Sequence, residues 1–117
     1  GQVYEGADAL KHGVWLRPVS NRPNNRNKVL VAHRFTYSNP RGAFYHLDKL
    51  KIGDPVAFKH NNRTTEYVVR EIKVVGPHDT YVEDASPDAR LTLYTCTPLV
   101  RPKDRLVIIA LPKEPQR

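Results

Sequence analysis

One residue carries all the sulfur chemistry of this chain. Cys96 stands in the stretch LTLYTCTP at residues 91–98, and there is no methionine. A thiol attacks a carbonyl only as thiolate, so a reactive cysteine needs a cation or a hydrogen-bond donor beside it. The usual arrangement pairs cysteine with histidine and adds a group that stabilises the oxyanion of the tetrahedral intermediate. Five histidines are candidates: His12, His33, His46, His60 and His78. His33 is preferred because it ends the apolar run VLVAHR, where a strand can hold a side chain rigidly at a rim. His60 falls in an expected hairpin turn and His46 on an expected short helix, where solvation alone accounts for them. Residue type by itself does not choose among the five. Cys96 also has two readings. It is either a small buried hydrophobe in a strand or a nucleophile at the strand's end, ahead of a basic loop with Arg101, Lys103 and Arg105.

Positioning such groups falls to strands, whose signals dominate. Residues 28–32 (KVLVA) are a short apolar run after the Pro/Asn-rich stretch NRPNNRN. Residues 55–58 and 64–75 flank KHNNR, whose Asn61-Asn62 pair tolerates the positive φ of a tight hairpin turn. Within the second arm, Tyr67, Val69, Glu71, Lys73 and Val75 alternate with Val68, Arg70, Ile72 and Val74, a period of two that puts each set on its own face. Residues 91–96 and 105–111 make a last pair joined by TPLVRPKD. Helical signals are short. One or two turns are expected in GADALKHGV, opened by Asp8 and closed by Gly13. A short helix with Phe44, Leu47 and Leu50 on one face is expected to end near Gly53. Ten prolines and several Asn/Asp clusters fit many short strands with turn chemistry between them. The expected fold is mostly β, a barrel-like single domain over residues 1–112, with a frayed tail at 113–117.

A chain of 117 residues is one domain. At that size folding buries roughly two-thirds of the unfolded chain's surface, so no disulfide is needed. A single cysteine cannot form an internal disulfide, and the redox compartment stays open. The formal net charge of +7 suits nucleic acid, anionic lipid or acidic polymer as neighbours. Lys and Arg are nevertheless spread from Lys11 to Arg117, as on a solvated basic surface. The longest aliphatic run, residues 106–111, falls far short of the roughly 20 residues a bilayer needs. No signal-peptide pattern opens the chain, so a membrane anchor is expected only outside it. The alternative to an enzyme is a basic β-barrel that binds nucleic acid without catalysis. A stacking platform clusters its aromatics on adjacent strands, whereas Tyr4, Trp15, Phe35, Phe44, Tyr67, Tyr81 and Tyr94 are scattered through expected strands, loops and a helix.

Taken together and in order, VLVAHRF, FYHLDKLKIGDPV, TLYTCTP and DRLVI resemble the sortases, the cysteine transpeptidases that fix proteins to bacterial cell walls. Thr92 to Cys96 matches the family's Thr-Leu-x-Thr-Cys strand at every fixed position. His33 precedes Arg34 as the family's catalytic histidine usually precedes arginine, and Arg105 opens the strand after the cysteine loop, where the family has its essential arginine. Leu50 to Asp54 matches a typical L-x-x-G-D segment, and the opening EGADALKHGVW looks like the stretch before the histidine strand. Two departures stand out. Ala32 takes the place of a common glycine before the histidine, and the family's first barrel strand would precede GQVYEG.

The resemblance implies a closed or nearly closed sortase-type barrel, with an open edge where that first strand is missing and association with another chain there. It also implies roles. Cys96, His33 and Arg105 are nucleophile, general acid and oxyanion or backbone donor, and Ala32, Thr95 and Thr97 line the substrate groove. The substrate is a C-terminal sorting signal of the Leu-Pro-x-Thr-Gly kind, cut between Thr and Gly. The acceptor is an amine of a peptidoglycan precursor or a pilin, and nucleic acid is no partner. The enzyme would work on the extracytoplasmic face of a bacterial membrane. No cofactor is implied. Glu83, Asp84 and Asp88 could mimic the calcium loop of some members, but they read equally as a solvated turn. The short connection from Gly76 to Arg90 argues against the class with a long helix there, class B, and is closer to classes A, D and E.

Overall fold

The computed structural model describes residues 3–4, 14–31, 47–60, 62–76, 78–97 and 104–113. Among the described residues, seven strands form one mixed sheet: β1 (Val3–Tyr4), β2 (Val14–Leu16), β3 (Asn27–Val31), β4 (Pro55–His60), β5 (Arg63–Val75), β6 (Arg90–Thr97) and β7 (Asp104–Pro112). Their order across the sheet is β1-β2-β3-β6-β7-β5-β4, and the sheet curls into a half-barrel. β1 with β2 and β3 with β6 pair in parallel, and the other neighbours are antiparallel. Three short 3-10 helices, η1 (Pro18–Asn21), η2 (Leu47–Lys49) and η3 (Thr80–Glu83), lie in the connections.

Alternation decides which side chains enter the barrel. Leu91 and Leu93 of β6 face the interior with their cross-strand partners Ala110 and Ile108 of β7. Val14, Leu16, Leu30, Tyr67 and Val69 join them, and Leu50, Val56 and Phe58 pack at the margin. Positions 92, 94 and 96 of β6 fall on the opposite, outer face, with Ile109, Val107 and Arg105 across from them. A second, smaller cluster forms there from Val75, Val107 and Ile109, packed by Val82 and Tyr94.

The strict two-residue period expected of residues 64–75 does not survive in β5. Val69 pairs with Ala110 and Glu71 with Ile109, which leaves Arg70 as an extra residue in a bulge. One extra residue exchanges the two faces. Tyr67 and Val69 therefore fill the interior, while Lys73 and Val75 of the same sequence alternation pass to the outer face opposite Val107 and Arg105.

One helical expectation changes as well, and a second falls outside the described residues. In the segment expected to be helical up to Gly53, the described part holds one 3-10 turn, Leu47–Lys49. Its backbone groups go elsewhere. Gly53 N–H donates to Val69 O at 2.9 Å and Lys51 N–H to Asp54 Oδ2 at 2.8 Å, with Gly53 at φ +99°. That is a turn docked on β5, and the left-handed φ suits glycine. Leu47 still reaches the core. Near the start of the chain, Val14–Leu16 is a strand with buried, half-buried, buried alternation, paired to Leu30 and Val31 of β3. The residues before it in the expected helix lie outside the described residues. The hairpin between β4 and β5 is as expected, and Asn62 takes φ +63° at its turn.

Candidate active site

Of the described sequence candidates, Cys96 and Arg105 fall on the outer face of β6 and β7. Cys96 lies directly opposite Arg105 in the antiparallel register, and Thr97 opposite Asp104. Such partners sit roughly 4.5–5.5 Å apart at Cα, so an arginine there is a first neighbour of position 96. Arg105 is half-buried, and its Nη1 donates to the Asp104 carbonyl at 3.2 Å. That bond holds the guanidinium back along its own strand while leaving it further N–H groups for an incoming oxyanion. His33 and Ala32 lie outside the described residues. β3 ends at Val31, paired in parallel with Tyr94, and His33 follows Val31 in sequence at the same interval as Cys96 follows Tyr94.

Thr95 is placed elsewhere. It occupies the interior-facing position of β6 opposite Leu106, and its exposure is 1%. It packs inside the barrel behind the site rather than along a groove. Thr97 contributes a register position at the rim, and Thr92, the motif's first threonine, is fully buried. Its hydroxyl donates to Asn27 Oδ1 at 2.7 Å.

That bond belongs to a network that locks the connection between β5 and β6 onto the sheet. Asn27 Nδ2 donates to the carbonyls of Val82 (3.2 Å) and Asp84 (3.0 Å). Asn25 Oδ1 accepts from the N–H groups of Asn27 (2.9 Å) and Ser86 (2.8 Å), and Arg26 N–H donates to Ser86 O at 2.7 Å. Buried amides that satisfy backbone groups in this way keep a connection from moving, since breaking one strands several polar groups. The η3 turn is thereby held over the outer face, with Val82 packed on the small apolar cluster.

Beside Cys96 on this face stands Tyr94. Its hydroxyl donates to Glu83 Oε2 at 2.8 Å, and Arg17 Nε donates to Glu83 Oε1 at 2.9 Å. The Arg17 guanidinium lies over the Trp15 ring, 4.1 Å from its centroid. Burial, and then the bond to Glu83, push the Tyr94 phenol well above its ordinary pKa, so it is a proton donor at any physiological pH. On the far side of η3, Lys73 pairs with Glu71 at 2.9 Å and stands 4.8 Å from the Tyr81 ring centroid.

From sequence, Glu83, with Asp84 and Asp88, reads equally as a calcium-like loop residue and as part of a solvated turn. In the structure its carboxylate serves Arg17 and Tyr94, the Asp84 carbonyl serves Asn27, and Asp88 closes a local turn with Ser86. Among the described residues no three His, Cys, Asp or Glu converge as a metal site. Three of the described aromatics are committed within the fold. Tyr67 is buried in the core, Tyr94 is tied to Glu83, and Trp15 is stacked on Arg17. Asn25, Asn27 and Arg17 were missed entirely. Their partners lie about sixty residues away in sequence, and no local spacing reports such pairs.

With this geometry in place, three comparisons bear on identity. The family model described as the Sortase domain matches residues 2–113. Sortase C1 from Streptococcus agalactiae superposes with a TM-score of 0.82 at 28% identity, over 97% of this chain and 61% of that one. Sortase C from Clostridium perfringens, solved with the C-terminal cell wall sorting motif, gives 0.81 at 29%, over 96% and 63%. A lid mutant of sortase A from Corynebacterium diphtheriae gives 0.83 at 28%, over 97% and 63%. The chain thus spans a little over three-fifths of the length of these solved relatives. No curated protein matches it.

Proposed function

The chain belongs to the sortase family, and from that premise we propose that it is a cysteine transpeptidase acting on a C-terminal sorting signal. The observation that carries the reading is the direct cross-strand pairing of Cys96 with Arg105 at the outer-face end of the Thr-Leu-x-Thr-Cys strand. The Cys96 thiolate attacks the carbonyl carbon of the signal's Thr, and Arg105 donates to the oxyanion as the tetrahedral intermediate forms. The C–N bond to the following Gly breaks as His33 gives its proton to the leaving amine. The thioester is then resolved by the amine of an acceptor, which restores the thiol. Water in place of the amine gives simple hydrolysis. The signal is of the Leu-Pro-x-Thr-Gly kind, and the acceptor is an amine of a peptidoglycan precursor or a pilin. The site of action is the extracytoplasmic face of a bacterial membrane. Among the described residues no helix is long and apolar enough to cross a membrane.

The test is cleavage of a set of sorting peptides with hydroxylamine as acceptor, read by mass spectrometry. Thr–Gly cleavage with a hydroxamate product, lost in Cys96→Ala, is the expected result. Arg105→Lys is expected to lose about 10²–10³-fold in kcat, because an ammonium is a point charge and not a planar fork of donors. Equal cleavage by Cys96→Ala would end the thioacyl reading.

A further inference from the structure

Among the described residues, two buried side-chain N–H groups lack a hydrogen-bond partner, Trp15 Nε1 and Arg90 Nε. Trp15 is neutral, and the Arg17 guanidinium lies over its ring. Arg90 carries a full charge. A guanidinium with a desolvated, unbonded N–H has given up water and received nothing in return. Such a group weakens the fold unless something from outside supplies the acceptor.

Its surroundings indicate what that would be. Arg90 opens β6, and Cys96 lies six residues further on, roughly 20 Å along the strand. Alternation puts Arg90 on the outer face with Thr92, beside its register partner Asn27. The pairing of Leu91 with Ala110 makes Leu111 its next neighbour in β7. From there one row crosses the sheet, since Leu111 pairs with Val68 and Val68 with Pro55. These three face outward, because Ala110, Tyr67, Val69 and Val56 beside them turn to the core. Leu111 is 38% exposed, Val68 is half-buried and Pro55 is exposed. The row is a half-buried cation at the end of an open aliphatic strip, roughly 14 Å long over three strand spacings.

Charge and shape choose the occupant. One unpaired guanidinium balances one negative charge. Its Nε–H and a neighbouring Nη–H lie in one plane and match the two oxygens of a carboxylate. A phosphate dianion would leave one charge over. We propose that Arg90, Leu111 and Val68 form a binding site for an aliphatic monocarboxylate, with the carboxylate on the guanidinium and the chain along Leu111, Val68 and Pro55. The site stands apart from Cys96 and is independent of the transpeptidase reading.

The probe is octanoate, followed through the backbone amide shifts of the folded chain, with acetate, 1-octanol and octyl phosphate as comparisons. Saturable shifts at Val68, Arg90 and Leu111 are expected with octanoate. Acetate and octanol should each bind at least about tenfold more weakly, since one lacks the chain and the other the charge. Arg90→Gln should weaken octanoate by about 10- to 100-fold. Arg90→Met should lose binding yet melt at the parent's temperature or above it, because it removes an unpaired charge and no bond. No saturable shift with octanoate, equal binding of octanol, or an unaltered octanoate affinity in Arg90→Gln overturns the site. Tighter binding of octyl phosphate overturns the carboxylate assignment. A clearly lower melting temperature for Arg90→Met also overturns the proposal, since bonds within the fold would then hold Arg90.

Discussion

Cys96 and Arg105 are the residues that sequence alone brings closest to chemistry, because one motif and one strand opening mark them both. Their pairing across β6 and β7 converts two marked positions into neighbours. Tyr94, the variable residue of the same motif, has no mark of its own, and only the fold reveals that it donates to Glu83. That bond has a measurable pH signature. The folded phenol titrates above its unfolded value of about 10, so the unfolded chain loses this proton first as pH rises. The stability contributed by the protonated phenol is complete below about pH 10 and drains away as pH climbs toward the folded value. Tyr94→Phe should therefore show a shallower alkaline loss of stability than the parent chain, followed by urea unfolding from neutral to strongly alkaline pH. The parent should also retain one more ionisation-resistant phenol than Tyr94→Phe in an absorbance titration of the folded state. Identical alkaline slopes would remove the Tyr94–Glu83 bond from the account. Tyr67, raised by burial, is present in both proteins and cancels in the comparison.

Among the elements, β3 does more than pair with the cysteine strand. Its first residue, Asn27, is 2% exposed and binds the β5–β6 connection through two carbonyls and β6 through Thr92. Asn27→Ala should cost about 1–3 kcal/mol, since it strands buried polar groups rather than exposing them to water. The midpoint of urea unfolding should fall with its slope unchanged. Cleavage of sorting peptides should weaken too, as η3 and Glu83 lose their anchor. An unchanged midpoint would mean that the connection is held without Asn27. β5 shows where element-level reading stops. Its length and strand character are plain from residues 64–75, yet the Arg70 bulge is invisible in the alternation. Tyr67, Val69, Lys73 and Val75 look like one face, and only pairing with β7 divides them between barrel interior and outer face. The turn after Leu47 had the same character, where helical spacing yielded to hydrogen bonds offered by β5.

At the scale of the molecule, β7 is the common neighbour of the cysteine strand and of the bulged β5, and its burial is close to complete from Leu106 to Ala110. Ile108→Ala should destabilise by about 2–5 kcal/mol, because a fully buried side chain is deleted where two strands and the interior meet. Val74→Ala, at a residue 58% exposed, should change stability by less than about 1 kcal/mol. Chemical unfolding of the two variants distinguishes a core centred on β7 from one spread evenly over the sheet, in which the costs would be similar. Five of the seven described strands, the hairpin at Asn62, the mostly-β class and the family were legible in local sequence, and the resemblance marked Cys96, His33 and Arg105 as candidates. Turn chemistry, two-residue alternation and a contiguous motif are properties of neighbours along the chain. The bulge, the burial of Thr95, the Asn25–Asn27 lock and the Arg17–Glu83–Tyr94 clamp were decided by the tertiary structure alone. Each depends on which distant strand or loop presents a partner, and the free energy of such a contact belongs to neither segment by itself.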